Sequence, residues 1–141
     1  MRVMIVSVTT GYGHHSTAAA IADSLRAAGA EAVVVDMYKY CGELVYHAMD
    51  KGYLTAVGPL RRVFGRSYQA MDHSRAARRL STAVVGNRLL RDRFVNVFHG
   101  FQPDVVVTPH VYSAYVLNEL KREGLVTAPV IGIITDYCIH P

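Results

Sequence analysis

The sequence predicts an α/β fold, a Rossmann-like doubly wound parallel sheet. Three observations carry that prediction. A strand, a glycine-containing loop, a helix and a second strand follow one another between Arg2 and Asp36, and a second strand–helix–strand pattern runs from Val105 to Thr135. The strand candidates, built on Val3–Val6, Val105–Val107 and Val130–Ile134, are continuous apolar runs rather than alternating ones. Such runs suit strands covered on both faces, and parallel strands need long crossovers of the kind found here.

With 141 residues, 51% hydrophobic and 18% charged, the chain fits one domain over residues 1–141, with enough apolar material for a single core. Disorder and solenoid architectures are poor readings on the same grounds, and the sequence shows no internal repeat. No apolar run approaches the ~20 residues of a membrane-spanning helix. Arg2 leads directly into a short strand and a glycine loop, a start unlike a signal peptide. Cys41 and Cys138 form no disulfide framework, so a cytoplasmic location is expected.

In chain order, Arg2–Val8 is the first strand, ending at Thr9-Thr10-Gly11. Ala18, Ile21, Leu25 and Ala28 recur at helical spacing, with Ser16 as the expected N-cap and Gly29 as the stop. Ala32–Asp36 is the second strand, reached by a right-handed crossover. Glu43–Val57 reads as a helix broken at Gly58-Pro59, and an arginine-rich block then reads as two helices split near Gly86-Asn87. Leu90, Phe94, Val97 and Phe98 make the apolar stripe of the second of these. Pro103-Asp104-Val105-Val106-Val107-Thr108-Pro109 is a short strand bracketed by prolines, a helix spans Val111–Arg122 before Gly124, and Pro129–Thr135 is the fourth strand.

Charge is unevenly spread. The segment from Arg61 to Arg93 holds nine arginines against Asp72 and Asp92, a net of +7 in a chain whose total is +4. Such a block fits an anionic partner, whether a membrane surface, a phosphate-bearing ligand or nucleic acid, or else a solvated helix face. No nucleic-acid-binding motif accompanies it, and no nucleic-acid partner is expected.

Three strand ends carry residues with chemistry. In Thr9-Thr10-Gly11-Tyr12-Gly13-His14-His15-Ser16, the glycines permit a tight turn and the amides of the following helix attract anions such as phosphate. A dinucleotide fingerprint would place a third glycine at Ser16, although Asp36 suits such a site; a plain strand-to-helix turn is the other reading. His14 follows Gly13 at the carboxyl end of a parallel strand, where these folds bind ligands, and imidazole suits general-base work. Asp136 and His140 follow the last strand on the same rim, Asp136 suiting a helix cap equally well. His110 follows the third strand and reads as a ligand contact or a helix cap. No Cys/His/Asp spacing matches a zinc site, so neither a metal nor a resident cofactor is expected.

The segments TTGYGHHSTAAAIADSLRAAGAEAVVVDMY, QPDVVVTPHVYSA and PVIGIITDYCIHP together resemble the N-terminal domain of the monogalactosyldiacylglycerol synthase and processive diacylglycerol glucosyltransferase family. Cell-wall glycosyltransferases acting on lipid-linked muramoyl peptide share the glycine loop and are the nearest alternative. The resemblance implies the acceptor-side half of an inverting GT-B glycosyltransferase. The donor-binding C-terminal domain would lie beyond this chain, and this half would be inactive alone. UDP-sugar would be the donor substrate, and diacylglycerol or a related lipid the acceptor.

His14 matches the family's base, with Asp136 as a second catalytic residue expected within reach of the glycine loop. Gly11, Gly13, His15 and Ser16 would face the donor phosphates, and His110 and His140 would line the acceptor cleft. Thr10-Gly11-Tyr12 stands where some members carry a richer glycine run. Arg61, Arg62, Phe64 and Arg66 would dock the enzyme peripherally on the anionic inner face of the cell membrane. The competing classes are a stand-alone nucleotide- or dinucleotide-binding module using Gly11, Gly13 and Asp36, and a membrane-binding domain without catalysis.

Overall fold

The computed structural model describes residues 1–8, 12–40 and 88–135. In chain order these form β1 (Arg2–Ser7), α1 (Tyr12–Ala27), β2 (Glu31–Asp36), α2 (Met37–Tyr40), α3 (Arg88–Phe101), β3 (Val105–Thr108), α4 (Val111–Arg122) and β4 (Val130–Gly132). The strands make one all-parallel sheet in the order β2-β1-β3-β4. This is the Rossmann-like α/β arrangement that the apolar runs predicted.

Pleating explains why β1 is apolar throughout. Val3 and Ile5 face one side, where they pack with Ala32, Val107 and the α1 residues Ala18 and Ala22. Met4 and Val6 face the other, against Phe94 and Phe98 of α3 and Leu117 and Leu120 of α4. Successive side chains point to opposite faces of a strand, so a sheet with helices on both sides demands apolar residues at every position. Alanines on the inner face of α1 let that helix sit close to the sheet; the other face is filled by larger side chains. Phe94 and Phe98 are each 3% exposed and Val97 packs beside them, as the α3 stripe predicted.

The amino ends of the strands are tied by Arg2. Its amide donates to Asp104 Oδ2 at 2.6 Å, its Nε pairs with Glu31 at 3.1 Å, and its guanidinium lies 4.6 Å from the Phe101 ring centre. The turn out of α3 passes through Gln102 at φ +50°, with its amide donating to Phe98 O at 2.8 Å. Gly29 and Gly124 take the same left-handed conformation after α1 and α4, as their places at the helix ends required.

Two boundaries differ from expectation. Helix α1 begins at Tyr12, so Gly13 and His14 lie in its first turn and Ser16 is not its N-cap. The Ser16 and Thr17 hydroxyls instead donate back to Gly13 O, each at 2.9 Å. Strand β4 covers three residues rather than seven, Gly132 being the last that pairs with β3. Among the described residues no helix is long and apolar enough to cross a membrane. The predicted helix at Glu43–Val57, the first helix of the arginine block, the Leu90 side chain, Cys41 and Cys138 lie outside the described residues.

The strand order places a ligand crevice. From β1 the chain crosses to β2 on one side and later to β3 on the other, so the connections diverge between β1 and β3. In open parallel sheets the opening at the carboxyl ends of such a strand pair is where ligands bind. The turns that follow β1 and β3 carry His14 and His110.

Candidate active site at the divergence of β1 and β3

His14 bridges the crevice. From the first turn of α1 its ring reaches across to the turn after β3, where Nδ1 lies 3.0 Å from Pro109 O. A carbonyl oxygen can only accept, so this contact assigns the ring proton to Nδ1 and leaves the lone pair on Nε2. The main chain of His14 is anchored as well, its carbonyl accepting from the Ser7 hydroxyl at 3.4 Å.

A third strand end joins the group. Thr135 Oγ1 lies 2.8 Å from His14 Nδ1 and donates to Pro109 O at 3.0 Å. The chain is delivered there because Ile133 N donates to Thr108 O at 2.8 Å, extending the β3–β4 ladder past the last paired residue.

The His110 ring stands edge-to-face with that of His14, ring centres 4.5 Å apart and planes at 81°. His110 is the N-cap of α4, its Nδ1 accepting from Tyr112 N at 3.1 Å. The cap reading of this residue therefore holds, and it also puts the ring against His14. Capping through Nδ1 needs that nitrogen unprotonated.

Beneath the two rings the β3–α4 turn is fixed by buried hydroxyls. Thr108 and Ser113 are 1% and 0% exposed, and their side-chain oxygens are 2.6 Å apart. Ser113 Oγ also contacts Val6 O at 3.3 Å and His110 O at 3.0 Å, linking the end of β1 to the turn after β3. A buried network with its hydrogen bonds satisfied holds a turn rigidly, and here it holds the Pro109 carbonyl.

The remaining sequence-predicted site residues fall into four groups. Gly13 is exposed and helical, without a positive φ, and a Cβ built on it meets no atom of the described residues within 4 Å. Neither a tight turn nor close packing in the described residues requires glycine there, contrary to the expectation. His15 and Ser16 are exposed, the Ser16 hydroxyl donating to Gly13 O at 2.9 Å. Asp36 ends β2 and is 8% exposed, so its residue is largely withdrawn from the surface a ribose would reach. Gly11, Asp136, His140, Arg61, Arg62, Phe64 and Arg66 lie outside the described residues.

Of the arginine block, Arg91 is described with its partners, pairing with Glu123 at 3.0 Å and Asp92 at 3.5 Å. Among the described residues no group of three or more His, Cys, Asp or Glu side chains is gathered to hold a metal ion.

Two parts of the cluster went unassigned from sequence. Pro109 contributes through its main-chain oxygen, which leaves no side-chain signal. Thr135 had one, since it stands at a strand end on the rim that carries His14.

A Rossmann-like sheet with an oriented imidazole at the carboxyl ends of its strands defines a class of ligand-handling or catalytic α/β domain. Comparison with known proteins makes this specific. Residues 14–141 match the family model for monogalactosyldiacylglycerol (MGDG) synthase, and the chain belongs to that family. It is also similar to a processive diacylglycerol beta-glucosyltransferase from Bacillus pumilus (strain SAFR-032), with 22% identity over 141 residues. That match takes in 99% of this chain and 35% of the relative, so the chain spans about a third of the relative's length. No solved structure matches it significantly. The family is one of glycolipid glycosyltransferases.

Proposed function

We propose that the chain is the N-terminal, acceptor-side half of an inverting GT-B glycosyltransferase. It would move a hexose from a UDP-sugar to diacylglycerol or a similar membrane lipid, with His14 as general base. The observation that carries this reading is the 3.0 Å contact from His14 Nδ1 to Pro109 O, which leaves the Nε2 lone pair at the ligand crevice.

In the reaction the acceptor hydroxyl oxygen attacks the anomeric carbon on the face opposite the diphosphate. The new C–O bond forms as the bond to the phosphate oxygen breaks, and UDP departs with the electron pair. The hydroxyl proton passes to Nε2. One displacement inverts the configuration. The imidazolium so formed keeps its Nδ1–H on a fixed carbonyl dipole, which favours positive charge without reorganisation.

The donor diphosphate lies, in this reading, over the start of α1, near Gly11, Gly13, His15 and Ser16. First-turn amides have no acceptor within their own helix, and the helix dipole favours negative charge there. The nucleotide and most sugar contacts belong to a C-terminal domain. Asp136 and His140 supply the second rim loop, Asp136 as the further catalytic residue, and His110 lies on the acceptor side. Val111 and Ile134, chain neighbours of His110 and Thr135, are 42% and 61% exposed, which supports an apolar acceptor. The enzyme works from the cytoplasm, peripheral on the inner membrane face, through Arg61, Arg62, Phe64 and Arg66.

Gly13→Ala tests the donor side. Alanine is about 1 kcal/mol better than glycine inside a helix, and less so in a first turn, so the variant is expected to melt no lower than the parent. A methyl group where the diphosphate approaches should still raise KM for the UDP-sugar about tenfold, or ~1.4 kcal/mol. An unchanged KM in a variant of undiminished stability would remove Gly13 from the donor site.

A further inference from the structure

We infer that Thr135 is a positioning residue for His14, selecting the ring tautomer through a three-membered hydrogen-bond cycle; this rests on the reading of His14 as the base. Three atoms form the cycle, with Nδ1 to Pro109 O at 3.0 Å, Nδ1 to Thr135 Oγ1 at 2.8 Å and Thr135 Oγ1 to Pro109 O at 3.0 Å. Two protons are available to it if Nδ1 is protonated, and one if it is not.

With the proton on Nδ1, the ring N–H is shared between the carbonyl and the hydroxyl oxygen. The hydroxyl proton is then free to point at the carbonyl, so all three contacts are attractive. With the proton on Nε2, the single hydroxyl proton serves either Nδ1 or Pro109 O. Lone pairs then face each other across at least one contact of 3.0 Å or less. The arrangement therefore disfavours the tautomer that would block the base.

The carbonyl alone cannot do this as well. A single acceptor leaves the ring free to swing about one hydrogen bond, whereas two acceptors on adjacent strand ends fix the ring plane. Thr135 is itself exposed, so its contribution is that of one hydrogen bond in competition with water. Because β4 brings Thr135 over the turn after β3, the geometry at Nε2 depends on the β3–β4 register as well as on α1.

The test has a spectroscopic arm and a kinetic arm. In the 141-residue chain, two-bond ¹⁵N–¹H correlation of the His14 ring should show Nε2 unprotonated and Nδ1 protonated. Thr135→Val, which keeps the branched shape and removes the hydroxyl, should draw the two nitrogen shifts together, the mark of mixed tautomers. Thr135→Ser should restore the parent pattern. In the two-domain enzyme Thr135→Val should lower kcat about tenfold with KM for the lipid unchanged, and Thr135→Ser should recover it.

Unchanged nitrogen shifts in Thr135→Val would overturn the assignment whatever the activity did. So would a Thr135→Ser variant as impaired as the valine one, since that would trace the effect to side-chain bulk. Failure of the base reading is told apart by His14→Ala, whose normal turnover would sink that reading while leaving the tautomer measurement intact.

Discussion

Replacing His14 by alanine in the two-domain enzyme is expected to lower kcat by about 10²–10⁴, the usual contribution of a positioned general base. The fold should survive the change. His14 is half-buried, and its removal strands no buried polar group, because Pro109 O still accepts from Thr135. The loss should fall on kcat rather than on KM for the sugar donor, since the proton moves only as the new bond forms. Turnover within a few-fold of the parent would reduce His14 to a structural link between α1 and the turn after β3.

The second large effect is expected at the membrane. Nine arginines and two aspartates between Arg61 and Arg93 give that segment +7, and each basic residue near an anionic leaflet contributes about 1 kcal/mol. Changing Arg61, Arg62 and Arg66 together to glutamate reverses six units of charge. The segment falls from +7 to +1, so its attraction is largely lost and sedimentation with vesicles rich in anionic lipid should be abolished, while the circular dichroism spectrum stays that of the parent. The parent should sediment at low salt and be released at high salt, because screening confines such attraction to about 8 Å at physiological ionic strength. Arginine stays charged across the accessible pH range, so salt and not pH should be the lever. Equal binding to neutral vesicles, or an indifferent triple variant, would show that the segment is not the anchor.

The sheet was legible because its chemistry is repetitive. Strand β1 must be apolar on both faces, and a run such as Val-Met-Ile-Val has no other comfortable home in a chain of this size. The ends of α1, α3 and α4 were marked by Gly29, by the phenylalanine stripe and by Gly124, each a residue with a specific backbone or packing reason. The start of α1 was not legible. Gly13 looks like a loop residue by propensity, yet a first turn tolerates glycine because its amides need no partner from the preceding turn.

Strand β4 was read too long because Val130–Ile134 is apolar throughout. Its last residues leave the ladder, and Ile134 remains 61% exposed. Of the active cluster, His14 and His110 were visible as histidines at strand ends. The cycle that orients His14 was not, since its carbonyl leaves no side-chain signal and its threonine is marked by its place at a strand end and not by its residue type.

The product itself tests the central claim most directly. The two-domain enzyme should be given vesicles containing diacylglycerol together with UDP-α-glucose or UDP-α-galactose, and the anomeric configuration of the glycolipid read by NMR. A single displacement assisted by the His14 base predicts a β-glycoside on the free hydroxyl of diacylglycerol, and no product from the 141-residue chain alone. An α-glycoside, transfer to some other acceptor in preference to the lipid, or turnover by the 141-residue chain without a second domain would contradict the account.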